Sequence, residues 1–534
     1  MMPRDYRFGT DAKSKIFTGI ELMNDTVSPT LGPCGRNAAV HLGKQVVLTT
    51  KDGVTVAEQV SSPDKWTEMG CEIVREASQN CNSSAGDGTT SAIVMTHSIC
   101  KQALHLPEDI NVIKVKNGMK RAVSTCVEEI KKMSKPCEKK EDFQKVAFIS
   151  SQDGEIAEKV TEVFLQSGEH GAIDIEYSEN PKMEIEHTDG FVMEKGWIMN
   201  HGGTVTLEDV PVLVTDKDIK HMQQILPVMD MLAKQGMKRL FIVCDNLSGE
   251  ALGMLVNNIN AGKFQACAVK VPSYGKFRID IMRDICAVTG AQFISEEENI
   301  NLSKISLEHL GRARRVSVER DRTIITSFDN IEIKKRMGDR IAELEELKKT
   351  ELDDPNRMEV EKRLATLTNG VSVIHFGAQT EGERNERKHR ITDSICAVRS
   401  AREEGVTIGG GSSYLKCIKA LEKLKTDDRS EKIGIDMVKK SLRSIALRVL
   451  EVAGVQDKEL IVSKIIEEGG NAGYDFDTGG IADMVKIGVI EPAKVIRCVI
   501  QNAASCAMTF LSLDVAIADT DEDPIKSFKS FLKS

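Results

Sequence analysis

Aromatic residues are scarce in this sequence of 534 residues. Phe, Trp and Tyr together make up 4%, with only two Trp and five Tyr. Proteins that hold single-stranded nucleic acid stack bases on aromatic side chains, so this scarcity argues against such a platform. An excess of positive charge is also absent, because 72 Lys and Arg face 81 Asp and Glu, a formal net charge of −9. A nucleic-acid binder with a basic surface is therefore not expected.

Long apolar runs are missing too. No stretch approaches the roughly 18 residues that a membrane-spanning helix needs. The first residues, MMPRDYRFGT, have neither the apolar core of a signal peptide nor the Arg-rich and Ser-rich character of a transit peptide. We therefore expect no membrane partner and a cytoplasmic location.

The thirteen cysteines contain no Cys-x-x-Cys pair. They are scattered from Cys34 to Cys506, with no histidine cluster nearby. This pattern is typical of reduced, partly buried thiols and predicts neither a zinc site nor a disulfide framework.

Hydrophobic residues at 41% and charged residues at 29% are ordinary for a globular protein. The length suggests about three domains. Helical apolar spacing occurs near both ends of the chain, at about 10–28, 64–84, 89–105, 112–133, 385–404, 411–424, 431–453, 457–467 and 492–512. The two helical ends could therefore belong to one domain that is interrupted by insertions.

The middle of the chain differs in character. A charged, Pro-containing segment, KKMSKPCEKKED, follows position 130 and indicates a hinge. Short β-rich pieces then alternate with helical text through FIVCD (241–245) and ACAVKVP (266–272), which is typical of βαβ units. Residues 333–366 predict a charged antiparallel helical hairpin, to which we assign no chemistry.

The segment SSAGDGTTSAIVMT (83–96) carries the clearest chemical pattern. Gly86 and Gly88 flank Asp87, and Thr89, Thr90 and Ser91 open an apolar helix. Free N–H groups at a helix start favour phosphate, and the carboxylate of Asp87 suits Mg²⁺. A plain capped helix start explains the same residues equally well from local sequence.

Two more glycine-rich turns precede helical or extended segments, TLGPCGRN (30–37) and IGGGSS (408–413). The segment TKDGV adds Lys51 as a possible phosphate partner and Asp52 as a second carboxylate, although an ordinary Asp-Gly turn is the alternative. No Gly-x4-Gly-Lys-Ser/Thr motif occurs, so a nucleotide pocket here would not be a P-loop.

Several of these segments, in this order and spacing, resemble the group I chaperonins of the GroEL family. They are RFGTDAKSKIFTGIELMNDTVSPTLGPCGRNAAVHL, TTKDGVTVAEQV, AGDGTTSAIV, ITDSICAVRSAREEGVTIGGGSSYL and GVIEPAKVIRCVIQNAASCA. The resemblance covers nearly the whole chain and implies an α+β multidomain fold. Its parts would be a mainly helical split equatorial ATPase domain (1–133 and 405–534), a small intermediate hinge domain (134–189 and 371–404) and an α/β apical domain (190–370). Gly190 and Gly370 match the family's hinge glycines.

The resemblance also implies the site residues. Asp393 matches the catalytic carboxylate, Asp52 the carboxylate that assists it, and Asp87 the Mg²⁺ ligand. The expected ATP-binding residues are Thr30, Leu31, Gly32, Pro33, Lys51, Asp87, Gly88, Thr89, Thr90, Ser91, Gly410, Asp475 and Glu491. Phosphoryl transfer to water depends mainly on positioning, a metal ion and a carboxylate that orients the water, so these roles are physically plausible.

Some positions depart from the family pattern. Cys34 replaces a Lys, Asp475, Phe476 and Asp477 replace an Asn-Ala-Ala near the base, and Glu491 replaces an Asp that faces the ribose. We therefore expect altered base affinity with an intact phosphate end.

The apical surface for unfolded clients departs further. Apolar character is kept at the matching positions Trp197, Leu226, Met229, Leu252 and Val256. The segment MNHGG (199–203) replaces two aromatics, Asn257 replaces a Val, and the tail IKSFKSFLKS lacks Gly-Gly-Met repeats. Binding of clients and of a co-chaperonin is therefore expected to be weak.

Two functions follow. The first is an ATP-driven folding chaperonin that forms homo-oligomeric rings of seven subunits around a cavity for unfolded clients. The second is a divergent paralogue with weak ATPase or folding activity that acts as a binding or regulatory protein. A small-molecule kinase is a distant third, because no kinase signature is visible.

Overall fold

The structure is a computed structural model that describes residues 4–41, 47–107, 109–167, 172–199, 203–273, 275–295, 300, 302–349 and 354–519. Within these ranges the helices are α1 (Gly9–Val27), α2 (Gly53–Gln59), α3 (Lys65–Ala85), α4 (Thr89–Ala103), α5 (Val112–Met133), α6 (Lys140–Ser151), α7 (Gly154–Ser167), α8 (Met222–Lys234), α9 (Gly249–Asn260), α10 (Gly275–Thr289), α11 (Ile331–Lys349), α12 (Asp354–Asn369), α13 (Glu381–Glu404), α14 (Ser412–Glu422), α15 (Arg429–Ser441), α16 (Ser444–Val452), α17 (Lys458–Glu468) and α18 (Ala493–Leu511).

The strands of the same ranges are β1 (Arg4–Phe8), β2 (Ala38–His41), β3 (Val47–Thr50), β4 (Ala172–Tyr177), β5 (Glu184–Thr188), β6 (Gly190–Met193), β7 (Val205–Thr215), β8 (Asp218–Ile219), β9 (Arg239–Cys244), β10 (Asn246–Leu247), β11 (Gln265–Lys270), β12 (Phe293–Ile294), β13 (Gly311–Val318), β14 (Thr323–Thr326), β15 (Val371–Phe376), β16 (Val406–Ile408), β17 (Ala472–Asp475), β18 (Gly480–Asp483), β19 (Ile490–Pro492) and β20 (Val515–Asp519).

The contacts divide the chain into two compact units. Unit 1 comprises Met1–Thr161 and Ala378–Ser534, and unit 2 comprises Glu162–Gly377. Both ends of the chain therefore contribute to one unit. The two-unit division has boundaries that differ from those of the expected three domains, which stay a prediction.

Unit 1 is built around a helical core. The long helices α1, α3, α4 and α18 pack on one another, and α5 packs along α15. Their apolar stripes meet in one cluster that draws on both ends of the chain, for example Ile20, Met95 and Ile496. Burying side chains of this size contributes about 1.5–3 kcal/mol each, which ties the two chain ends together.

Unit 1 also contains short pairs of antiparallel strands. β1 pairs with β20, β2 with β3, β16 with β19 and β17 with β18. The pair β16–β19 sets Thr407 opposite Glu491. This register fixes the position of Glu491 beside the turn that follows β16.

Unit 2 is an α/β unit with a seven-stranded sheet. The strand order is β11-β9-β7-β13-β14-β6, and β12 pairs with β7. Alternate residues of β11 face opposite sides, because Ala266 and Ala268 belong to the apolar cluster under α8 and α9 whereas Cys267 and Val269 belong to the other cluster. A second sheet, of order β4-β15-β5, belongs to the same unit.

Most predicted helices are confirmed to within a few residues. The predicted hairpin at 333–366 corresponds to α11 and α12, which pack on each other. The single helix predicted at 431–453 is wrong, because the chain forms α15 and α16 with a break at Leu442 and Arg443. At this break the Ser444 hydroxyl donates a hydrogen bond of 2.7 Å to the Ser441 carbonyl and so satisfies a group at the end of α15.

No helix of the part of the chain that the structure describes has both the length and the apolar character to cross a membrane.

The cysteines are mostly buried. Cys34 is exposed, Cys396 is half-buried, and the other eleven are buried.

Candidate functional site

A cavity of about 1130 Å³ lies within unit 1. Its walls come from both ends of the chain. They comprise the residues around 30–33, 50–54 and 86–91, the helices α6 and α13, and the segments around 410–411, 474–478 and 486–495. All thirteen predicted nucleotide-binding residues and both predicted catalytic residues line this cavity.

The turn between α3 and α4 forms one wall. Gly86 and Gly88 both have left-handed backbone, with φ of 69° and 81°. A Cβ at Gly86 would lie 2.2 Å from the Cβ of Cys396, so only glycine fits there. Thr89 and Thr90 begin α4 and are buried. The start of a fifteen-residue helix thus faces the cavity, an arrangement that favours anions.

Asp87 lies at the centre of this turn. Its carboxylate accepts a hydrogen bond from the backbone N–H of Gly88. Burial raises its pKa, the Gly88 hydrogen bond lowers it, and the nearby charge of Asp52 raises it further. A divalent cation would offset this unfavourable charge, and carboxylate oxygens are the ligands that Mg²⁺ prefers. The residues present therefore fit a Mg²⁺ that arrives with phosphate oxygens.

Asp52 caps the N-terminus of α2. Its Oδ1 accepts a hydrogen bond from the N–H of Val54 at 3.1 Å, and its Oδ2 accepts from the N–H of Thr55 at 3.0 Å and from the Thr55 hydroxyl at 2.5 Å. The hydroxyl of Thr50 accepts from the N–H of Asp52 at 3.0 Å. The three contacts with Val54 and Thr55 hold the carboxylate in one orientation, and the Thr50 contact fixes the backbone of Asp52. Lys51 is exposed at the edge of the same cavity.

The segment Thr30–Pro33 forms a neighbouring wall. The Thr30 hydroxyl donates to the carbonyl of Val27 at 2.9 Å and lies 3.5 Å from the hydroxyl of Thr90. Leu31 packs on the helical core. Gly32 has φ of 83°, the left-handed conformation that lets the loop turn at the cavity. Two segments that are sixty residues apart are therefore adjacent.

Asp393 lies on α13 and faces the same cavity. Burial raises its pKa well above the ordinary value, and the charges of Asp87 and Asp52 raise it further. Asp52, Asp87 and Asp393 therefore line one cavity, and their like charges disfavour the ionised forms of Asp87 and Asp393. A bound cation would offset this repulsion.

Gly410, Asp475 and Glu491 also line the cavity. The N–H of Gly410 donates to Oε1 of Glu491 at 2.9 Å. The carboxylate of Asp475 instead accepts from the Asp477 N–H at 3.0 Å and the Thr478 hydroxyl at 2.7 Å. These bonds lower its pKa and use its oxygens to close the turn between β17 and β18.

Sequence reasoning missed several residues that line the cavity, among them Tyr474 and His389. Tyr474 forms an edge-to-face pair with Phe476, with ring centroids 5.0 Å apart, next to Asp475. From α13, His389 also faces the cavity, with Nδ1 3.6 Å from Oδ2 of Asp52. A signal for His389 existed, since it precedes Asp393 by four residues and so shares its helix face.

The expected client-binding residues divide into two groups in unit 2. Leu226 on α8 is 36% exposed, and Leu252 and Val256 on α9 are half-buried. Met229 is a correction, because it is 6% exposed and packs in the core under α8. Trp197 is half-buried and packs on the cluster at the other face of the sheet, and its client role stays a prediction. Of the segment 199–203, positions 200–202 lie outside the described residues, as does the tail.

Solved structures and family models match this chain. It is similar to the structure of the chaperonin gp146 from the bacteriophage EL 2 (Pseudomonas aeruginosa) in presence of ATP-BeFx, with 21% sequence identity and a TM-score of 0.66. The match covers 97% of this chain and 99% of that chain, and it shows the fold. The predicted multidomain α+β chaperonin fold is thereby confirmed. A family model described as TCP-1/cpn60 chaperonin family matches residues 23–521, and the chain therefore belongs to the TCP-1/cpn60 chaperonin family.

Proposed function

We propose that this protein is an ATP-dependent chaperonin of the group I type, which binds unfolded proteins and promotes their folding in a ring cavity. The observation that supports this most directly is the shared cavity of Asp52, Asp87 and Asp393 with the buried hydroxyls of Thr89 and Thr90. N–H groups and hydroxyls at a helix N-terminus suit the phosphates of a nucleotide, and carboxylates beside them suit the Mg²⁺ that accompanies it.

The chemistry we assign is hydrolysis of the terminal phosphate of ATP. The N–H groups and hydroxyls at the start of α4 bind phosphate oxygens, and Asp87 holds Mg²⁺. When bound, the ion neutralises phosphate charge. Asp393 accepts a hydrogen bond from the attacking water and orients it, and Asp52, fixed by its contacts with Val54 and Thr55, assists.

We extend the proposal to the rest of the machine on the resemblance to group I chaperonins. It includes rings of seven subunits, a co-chaperonin, a cytoplasmic location and the three-domain division. The position of Gly370, with φ of 60° directly before β15, supports a hinge there. Gly190, at the start of β6, is its counterpart, and a Cβ at either residue would lie 2.5 Å from a neighbouring carbonyl oxygen.

A second candidate function is that of a binding or regulatory paralogue with weak turnover. The burial of Met229 and the location of Trp197 favour it, because both remove apolar area from the expected client surface. The aromatic pair Tyr474 and Phe476 in the ATP cavity favours altered base recognition.

The two candidates differ in turnover and in folding yield. The test is ATP hydrolysis with Mg²⁺ by purified protein whose mass is measured by light scattering, together with an Asp393→Ala variant. We expect turnover by a ring-sized particle, loss of turnover in the variant, and ATP binding in both. Refolding of a denatured client should improve with ATP and a co-chaperonin.

An exposed site on the same helix provides the control. Lys388→Gln should hydrolyse ATP like the wild type. Ring-sized wild-type protein that hydrolyses ATP but never improves refolding would favour the second candidate. Monomeric protein without turnover would contradict the proposed ATPase.

A further inference from the structure

The contact between His389 and Asp52 is not explained by the roles assigned above. The two side chains come from different parts of unit 1, the first from α13 and the second from the N-cap of α2. Nδ1 of His389 lies 3.6 Å from Oδ2 of Asp52, which is longer than a hydrogen bond and within the range of an ion pair. The histidine side chain is 47% exposed and the aspartate 15%.

We propose that His389 is a positioning residue for ATP hydrolysis, which holds the Asp52 carboxylate in place through a charge contact. The inference rests on the proposed ATPase function. His389 and Asp393 are four residues apart on α13, so one face of this helix carries both. Both side chains line the cavity that Asp52 also lines.

The two carboxylate oxygens of Asp52 differ in how many further hydrogen bonds they can accept. Oδ2 accepts both bonds from Thr55 and faces His389. Oδ1 accepts a single bond, from Val54, and so has more accepting capacity left. Oδ1 is therefore the oxygen that is left to accept a further hydrogen bond.

Charge supports the same role. Asp52 raises the pKa of Asp87 and of Asp393, so its own negative charge opposes the ionised forms that the reaction needs. A cationic partner at this position would partly neutralise that charge at its source. The other charged groups that line the cavity are Lys51, Asp87, Glu141, Lys145, Glu386, Arg390, Asp393, Asp475, Asp477, Lys486 and Glu491. Glu386 and Arg390 are paired with each other at 2.6 Å, so neither replaces His389.

The experiment compares His389→Gln, which removes the charge, with His389→Lys, which keeps it. Under saturating ATP and Mg²⁺ we expect His389→Gln to lower kcat roughly threefold to tenfold with little change in KM, because it misplaces a reacting group without removing a nucleotide contact. His389→Lys should retain most of kcat. Lys388→Gln, at the adjacent exposed position, should match the wild type.

One further readout separates positioning from a merely structural role. In an Asp52→Asn background, His389→Gln should have no further effect, because its partner is gone.

Each outcome decides one point. An equal loss from His389→Gln with and without Asp52→Asn would overturn the inference. So would an increase in KM alone, which would assign His389 to nucleotide binding. A wild-type protein that does not hydrolyse ATP would instead overturn the proposed function itself.

Discussion

The backbone N–H of Gly410 donates a hydrogen bond of 2.9 Å to the Oε1 atom of Glu491. Gly410 follows β16 and Glu491 lies on its partner β19, so the bond joins the ends of two paired strands at the cavity. Burial raises the pKa of Glu491 to about 7, the Gly410 bond opposes the shift, and Asp87 adds to it. Burial is the largest of these effects, so the neutral acid is favoured.

The first prediction concerns stability against pH. Because the folded pKa of Glu491 lies above its ordinary value of 4.5, its stabilising contribution is complete below about pH 4.5 and is lost as pH rises through about 7. Glu491→Gln keeps an acceptor for Gly410 and cannot ionise. Between pH 4.5 and 8 the free energy of unfolding of the variant should therefore rise by about 1–3 kcal/mol relative to the wild type.

Urea unfolding of nucleotide-free protein at several pH values measures this change. Glu346→Gln, on the exposed surface of α11, is the control and should follow the wild type at every pH. Parallel curves for Glu491→Gln and the wild type would show that Glu491 is ionised throughout.

The second prediction concerns the space in front of Thr90. A Cβ at Gly53 would lie 2.0 Å from the Thr90 hydroxyl oxygen. We expect Gly53→Ala to displace Thr90, to destabilise the protein by about 1–3 kcal/mol, and to weaken ATP binding. Gly154→Ala is a matched control, since Gly154 lines the same cavity and has nothing within 4 Å of the new methyl group.

Titration with a fluorescent ATP analogue and thermal unfolding measure both effects. Gly154→Ala should bind the analogue like the wild type and unfold at a similar temperature. Equal behaviour of the two variants would mean that Thr90 can move without loss, and that its hydroxyl is not a phosphate contact.

The third prediction concerns a buried ion cluster in unit 2. Asp284 on α10 is fully buried and accepts hydrogen bonds from Arg340 at 2.7 Å and from Arg363 at 2.6 and 2.9 Å. Asp280 lies 3.5–3.6 Å from the same two guanidinium groups. Asp284→Asn would leave Arg363 with only the longer contact to Asp280, and Arg340 with Asp280 and the partly exposed Glu343, which should cost about 3–5 kcal/mol.

Unfolding in urea measures this change in stability. Urea is preferred because guanidinium chloride is a salt and would screen the charge interactions. The exposed pair of Lys349 with Glu346 provides the comparison, because breaking a surface ion pair should change stability too little to measure. A similarly small effect of Asp284→Asn would show that water or Asp280 compensates fully.

The sequence predicted helices best where an apolar stripe alone decides the structure. It predicted α1, α3, α4, α5 and α18 closely, because each buries one face in a common core. It failed at the break between α15 and α16. There the Ser441 hydroxyl accepts a hydrogen bond of 2.9 Å from Gln102, more than 300 residues away, and local spacing carries no sign of that contact.

The candidate site likewise has parts that local sequence predicted and parts that it could not predict. The local pattern of glycines and hydroxyl residues correctly predicted a turn followed by the start of a helix between α3 and α4. That Asp52, Asp87 and Asp393 share one cavity came from a family resemblance, because only the fold brings them together. Tyr474 carried no signal, since an aromatic beside a short strand is equally consistent with a core residue.

The last prediction follows from the two neighbours Leu226 and Met229. Apolar residues surround α8 almost completely, so sequence spacing could not show which of them face solvent. Leu226 is 36% exposed and Met229 is 6% exposed. Leu226→Ser should therefore reduce capture of an unfolded client severalfold with little effect on stability, whereas Met229→Ser should destabilise unit 2 by about 2–5 kcal/mol.

Suppression of aggregation of a denatured client, followed by light scattering, measures capture, and thermal unfolding measures stability. Asp230→Ser, at an exposed polar position of the same helix, is the control and should change neither quantity. If Leu226→Ser captures client as well as Asp230→Ser does, α8 is not the client surface. The exposed apolar area that remains on α9 would then be the next surface to test, through Leu252 and Val256.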